Sequence, residues 1–221
     1  MDKKRFKLSE EFWQKTPEGF SSLYEWNINP VKMACNIFLR QRSKIVMAEA
    51  LSGNSHETLL DLGCGSGDLG ISLSNAFQKI ILSDYSEGML DIARKNTANQ
   101  SNIKLICNDA TDIPVEDKSV DTTIAIGLLD YVKNIGAVLT EVSRVSKPGS
   151  TLIITAPKSP TIFQFLRVSS AFRKSVSGLP PIVNSMTKLE FENLLFKHDF
   201  KPLKINALWD AMWIVTAQKP E

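Results

Sequence analysis

The chain has 221 residues and a formal net charge of +2, with 26 Lys and Arg against 24 Asp and Glu. That length supports one substantial core with at most a small cap, and argues against two full domains. So balanced a charge gives no electrostatic footprint for nucleic acid, and 43% hydrophobic residues exclude a disordered or low-complexity chain.

Cys35, Cys64 and Cys107 are an odd number without CxxC spacing, so neither a disulfide framework nor a metal site is expected. The basic N-terminus is followed by no signal-like apolar stretch, and no run reaches the roughly 18 apolar residues of a membrane span. These features lead to the expectation of a soluble, cytoplasmic protein, with contact at a membrane surface left open.

Residues 1–56 carry no strand signal. Val31 to Leu51 has the pattern of a helix, and the whole segment is expected to form a helical N-terminal cap. From residue 57 onward, short aliphatic and β-branched runs alternate with amphipathic segments, the pattern of βα units around a parallel sheet. Predicted strands are Thr58 to Leu62, Ile80 to Ser83, Ile103 to Cys107, Val120 to Ile126 and Thr151 to Ala156. Helices are predicted over Asp68 to Phe77, Ser86 to Asn99 and Lys133 to Val145, with Ser86 as an N-cap. Lys147 to Ser150 suits a turn.

The tail changes rhythm. A helix is predicted over Thr187 to His198, then strands over Pro202 to Leu208 and Met212 to Ala217. Their three-residue link is too short for a parallel crossover, so an antiparallel hairpin should end the sheet. The expected fold is α/β: a Rossmann-like, doubly wound sheet of seven strands. Residues 57–221 would form its main domain, with a helical cap insertion at about 158–186. Within that insertion, Pro160 to Val176 reads as an amphipathic basic helix that could lid a substrate, lie on a membrane or pack on the domain.

Gly63, Gly65 and Gly67 lead from the first strand into a helix, where a tight turn admits a ligand closer than a Cβ would allow. A glycine-rich turn without ligand is the plain alternative. Gly65 to Gly70 matches the dinucleotide fingerprint GxGxxG, and Asp84 lies about twenty residues on, at the end of the second strand, where it can accept both hydroxyls of a ribose. NAD and other adenosine cofactors share that requirement. No Lys-Ser/Thr pair follows, so this is not a P-loop.

Four stretches in order resemble motifs of the class I S-adenosylmethionine (SAM)-dependent methyltransferases: Asp61 to Gly67, Asp84 to Leu90, Asn108 to Ala110 and Arg144 to Ser150. The resemblance covers about residues 57–157. It implies a SAM site formed by Asp61, Gly63, Cys64, Gly65, Gly67, Asp84, Tyr85, Met89, Asp109, Ala110 and Gly127, with S-adenosylhomocysteine (SAH) as product. The residue chemistry agrees: the loop carries no cation for a pyrophosphate, and Asp68 in the first helical turn would repel one. Asp84, Asp109 and Asp112 could instead cap turns, and Met89 could be core.

Gly127 to Val132 should lie at the carboxyl edge of the sheet, where open α/β folds bind ligands. Many relatives in the quinone-methylating branch have His near position 131; this chain has Tyr131. Base candidates are Asp130, Tyr131, Tyr24 and Asp210, while His56 and His198 read as surface residues. Residues 22–49 and 127–132 faintly resemble magnesium-protoporphyrin O-methyltransferases, which implies a hydrophobic small-molecule acceptor methylated on a carboxylate or hydroxyl. An NAD(P)-dependent oxidoreductase and a non-catalytic SAM-binding subunit are the competing readings.

Overall fold

The structure, a computed structural model, describes residues 29–53, 55–161 and 182–221. A long helix α1 (Pro30–Leu51) precedes β1 (Thr58–Leu62), α2 (Asp68–Ser72), β2 (Lys79–Asp84), α3 (Glu87–Asn96), β3 (Ile103–Cys107) and β4 (Val120–Ala125). Then follow α4 (Ile135–Val145), β5 (Ser146–Pro157), α5 (Lys188–Lys197), β6 (Lys201–Leu208) and β7 (Met212–Gln218).

The seven strands form one sheet in the order β3-β2-β1-β4-β5-β7-β6. Only β7 runs against its neighbours, pairing antiparallel with both β5 and β6. The expected Rossmann-like sheet with its terminal hairpin is present. The chain runs outward through β1, β2 and β3, then returns to place β4 on the other side of β1. That reversal opens a crevice beyond the carboxyl ends of β1 and β4.

Both faces of the sheet are covered, so its central strands are nearly continuous apolar runs. Leu60, Leu62, Leu152 and Ile154 face the core that α4 and α5 close with Val138, Leu139, Val142, Phe191 and Leu195. Alternate residues Leu59, Ile80, Leu82, Ile124 and Ile153 face the other core, closed by Val46 and Ala50 of α1 with Leu73 and Phe77. Burying a side chain such as Phe191 contributes about 1.5–3 kcal/mol.

Local chemistry sets the boundaries. Ser86 caps α3, its Oγ accepting from Met89 N at 3.3 Å, as expected. The predicted helix from Asp68 to Phe77 is shorter in the structure. After Ser72 the bonding tightens to i→i+3 steps, and Asn102 Nδ2 donates to the carbonyls of Ser74 and Phe77 at 2.8 and 2.9 Å.

The turn expected at Lys147 to Ser150 is instead absorbed into β5. Pairing with β4 jumps from Val120–Ser146 to Thr122–Thr151, and Gly149 takes φ 75° in the bulge. The bulge brings Lys147 Nζ to Asp121 at 2.9 Å and Glu57 at 2.8 Å. Asp121 also accepts from Ser55 Oγ and Thr58 N. This network fastens the edge of the sheet opposite the crevice.

Among the described residues, no helix is long and apolar enough to cross a membrane. Residues 1–28 of the cap expected at 1–56, Tyr24 among them, and residues 162–181 of the insertion expected at 158–186 lie outside the described residues.

Candidate functional site

A cavity of about 1230 Å³ occupies the crevice. Single-ligand clefts commonly enclose about 300–1,000 Å³, so this one has room for two small molecules. One end is formed by the glycine loop, the ends of β2 and β3 and the start of α3. The other is formed by α1, the segment after β4, the end of β5 and the turn between β6 and β7.

At the first end the loop is held by carboxylates. Gly63, Gly65 and Gly67 adopt φ 75°, 56° and 81°, in the left-handed region that costs an L side chain about 1–2 kcal/mol. Asp84 accepts from Gly65 N at 2.8 Å and from Ser86 N at 2.9 Å. One carboxylate thus joins the loop to the cap of α3, and each oxygen retains capacity for a further donor. Asp61, only 2% exposed, accepts from Gly70 N at 3.2 Å. Burial, reinforced by the nearby charges of Asp84 and Asp68, pushes its pKa up to about 7. Burial likewise raises Asp84 and the Cys64 thiol. This end therefore concentrates negative charge that a cation would stabilise.

Of the residues expected at a cofactor, Asp61, Gly63, Cys64, Gly65, Asp84, Tyr85, Met89, Asp109, Ala110 and Gly127 all line this cavity. Gly67 is not among its lining residues. A Cβ there would lie 2.9 Å from Leu82 Cδ1, so its contribution is to turn the chain against the sheet. Gly70, the last glycine of the literal GxGxxG, also faces the sheet: a Cβ would meet Leu82 Cδ2 at 2.4 Å. The second half of that fingerprint is thus a close helix–strand contact. Met89 is 1% exposed and both core and wall, its Cε against the open face of Gly65. Asp109 also caps a turn, its Oδ1 accepting from Thr111 N at 2.8 Å.

The base candidates separate. Asp130 and Tyr131 line the cavity, with Asp130 only 3% exposed. Asp210 is not a lining residue and pairs with Lys158, which removes it from the candidates. Its partner lies on a distant strand end, so the pairing has no local sequence signal. His56 rests against Phe77, and His198 lies beside Thr140 at the far end of α5. No histidine is among the described lining residues.

Two features at the cavity escaped the sequence reading, Arg42 in its lining and Asn184 behind it. Arg42 on α1 is 7% exposed, and its Nη1 lies 3.5 Å from the position a Cβ would take on Gly127. Asn184 donates from Nδ2 to the carbonyls of Leu129 and Val132 at 2.9 and 2.7 Å. Together with Val183 N on the Asp130 carbonyl at 2.8 Å, it clips the segment after β4 in place.

A doubly wound sheet with one reversed strand, an acid-flanked glycine loop and a cavity at the switch point defines the class I methyltransferase architecture. Comparison with known proteins agrees: residues 60–154 match the family model described as a methyltransferase domain. Residues 60–154 are thus similar to a methyltransferase domain, and the sheet around them has the fold of the class I SAM-dependent methyltransferases.

Demethylmenaquinone methyltransferase of Staphylococcus aureus strain JH9 is 34% identical over 137 residues, which are 60% of this chain and 56% of that protein. The match thus spans just over half the length of this curated relative. Magnesium protoporphyrin IX methyltransferase from Synechocystis PCC 6803, solved with bound SAM, superposes with TM-score 0.75 at 17% identity, covering 99% of this chain and 98% of its own. A putative methyltransferase in complex with the Haloferax volcanii Trm112 activator gives TM-score 0.70 at 16% identity, covering 92% and 98%. At these identities the two structures attest the fold.

Proposed function

We propose that the domain binds SAM at the glycine-loop end of the cavity and transfers its methyl group to a lipophilic small molecule at the other end. The acceptor atom we favour is a carboxylate or hydroxyl oxygen. The observation that carries this reading is the donor set: a buried carboxylate, Asp61, and a half-buried one, Asp84, flank a glycine loop without a cation, beside an apolar compartment. That set suits a ligand with an ammonium, a sulfonium and a ribose. It opposes a pyrophosphate, which the Asp68 carboxylate at the start of α2 would repel.

In this reading Asp84 accepts from the ribose hydroxyls while retaining its hold on Gly65 and Ser86. Asp61 and the loop carbonyls face the ammonium, and Arg42 receives the carboxylate of the amino-acid moiety. Asn108, Asp109 and Ala110 border the adenine. When bound, SAM would supply an electrophilic methyl carried by a sulfonium, which becomes a neutral thioether when the methyl leaves. The protein's main tasks are to bring the acceptor oxygen within roughly 3–3.5 Å of that carbon and to exclude water. A carboxylate acceptor needs no base. For a hydroxyl acceptor, the Asp130 carboxylate, or Tyr131 as its phenolate, would receive the proton. The quinone and porphyrin relatives support an apolar acceptor.

The test is incubation with methyl-labelled SAM and a lipophilic extract, beside a thermal shift with SAH. The expected outcome is label in the extract and stabilisation by SAH. At about 100 times its Kd, a ligand adds roughly 2.7 kcal/mol, or about 5–10 °C for a chain of this size. Stabilisation without transfer to any extract would point to a non-catalytic SAM-binding subunit; stabilisation by NAD alone would point to an oxidoreductase.

A further inference from the structure

The turn joining β6 to β7 places a large aromatic residue where backbone geometry favours a small one. Trp209 and Asp210 both have positive φ, 50° and 54°, and Ala211 N closes the turn on Leu208 O at 2.9 Å. Positive φ at both central residues characterises type I′ turns, in which Asn-Gly predominates. Backbone departures of this kind, when the surroundings hold them, are a reason to look for a use. The surroundings do hold this one: Lys158 N donates to Ala211 O at 3.0 Å, and the Lys158 ammonium pairs with Asp210.

The turn delivers the Trp209 indole to the apolar wall of the cavity. Its Nε1–H donates to Gln41 Oε1 at 2.7 Å, which fixes the ring's orientation. Phe38 meets it at a centroid separation of 5.6 Å and an interplanar angle of 70°. Trp209 is nevertheless 39% exposed. Two oriented rings thus stand on the wall opposite the glycine loop, with Ala211 and Met212 adjoining.

Resting on the methyltransferase reading above, we infer that Trp209 and Phe38 form an aromatic platform selecting a planar, conjugated acceptor over a saturated one of the same size. A saturated chain gains from apolar area whatever the angle of the rings. A planar π-system gains in addition from offset or edge-to-face contact with rings already fixed in orientation. Trp209 is accordingly a specificity-determining residue; methyl transfer itself does not require it.

The experiment uses the full chain saturated with SAH. It measures, by calorimetry, binding of naphthalene-2-carboxylate and of its fully saturated decahydro analogue, which share a skeleton and a charge. We expect wild type to prefer the planar acid. W209L should weaken it by roughly five- to tenfold while changing the saturated acid less than twofold, and W209F should recover most of the planar affinity. F38L, which leaves the strained turn untouched, should give a smaller loss of the same selectivity and serves if W209L fails to fold. Equal losses for both acids, or no loss for the planar one, would overturn the inference. Absence of an SAH response in wild type would instead refute the underlying methyltransferase reading.

Discussion

The glycine-loop end of the cavity draws its side chains almost wholly from residues 61–111, whereas the apolar end gathers Phe38, Arg42, Leu128, Tyr131, Trp209 and Met212 from across the chain. The first is short-range chemistry: Asp84 reaches Gly65 and Ser86 through two hydrogen bonds. The second exists only because α1, the segment after β4 and the β6–β7 turn converge at one edge of the sheet. A site of the first kind can be read along a sequence. A site of the second kind must be folded before it can be read.

The sharpest way to break this contrast is at Asp84. Asp84→Ala removes both the ribose acceptors and the tie between the loop and the α3 cap. SAH affinity should fall by about a hundredfold or more, on the scale of two charge-assisted hydrogen bonds, while circular dichroism remains native. Unchanged affinity would place the cofactor elsewhere.

Arg42 tests whether the two ends communicate, since its guanidinium lies on α1 yet is assigned to the cofactor. Arg42→Gln should weaken SAH about tenfold, measured by calorimetry. An effect on acceptor binding alone would assign the residue to the apolar end.

Asp61 sharpens the electrostatic half of the comparison. Its carboxyl is raised from the ordinary 3.8 to about 7, chiefly by burial. Between those values the folded ligand-free protein therefore binds more protons than the unfolded chain, and this group's contribution to stability declines as pH rises across that window. Above pH 7, ligand-free Asp61→Asn should be more stable than wild type, by about 1–3 kcal/mol in chemical denaturation. The difference should fade towards pH 4. SAM affinity of wild type should increase as pH passes upward through 7, because the ionised carboxylate attracts the cation; in the variant that increase should be absent.

The smallest effect is expected at Asn184, which serves the apolar end alone. Asn184→Ala removes two hydrogen bonds to the carbonyls of Leu129 and Val132. Stability should fall by about 1–2 kcal/mol with SAH affinity unchanged. A matching loss of SAH affinity would show that the two ends are mechanically coupled.

The same contrast governs what the sequence disclosed. The strands, the Ser86 cap and the acid-flanked loop rest on periodicity and on neighbours close in the chain, and the structure reproduces them. Gly67 looked like a ligand contact because the glycine pattern does not say which glycines face the ligand and which face Leu82. Lys147 to Ser150 looked like a turn because nothing local reveals that Lys147 is drawn to Asp121 across the sheet. Asp210 looked like a base until Lys158 was found beside it. Arg42, Asn184 and Trp209 acquire meaning only from the elements that meet around them.

Calorimetric titration of the full chain with SAH and, separately, with NAD probes the central assignment most directly. The account predicts one SAH per chain, no heat from NAD and loss of the SAH signal in Asp84→Ala. Saturable NAD binding that survives in that variant, with none for SAH, would contradict it.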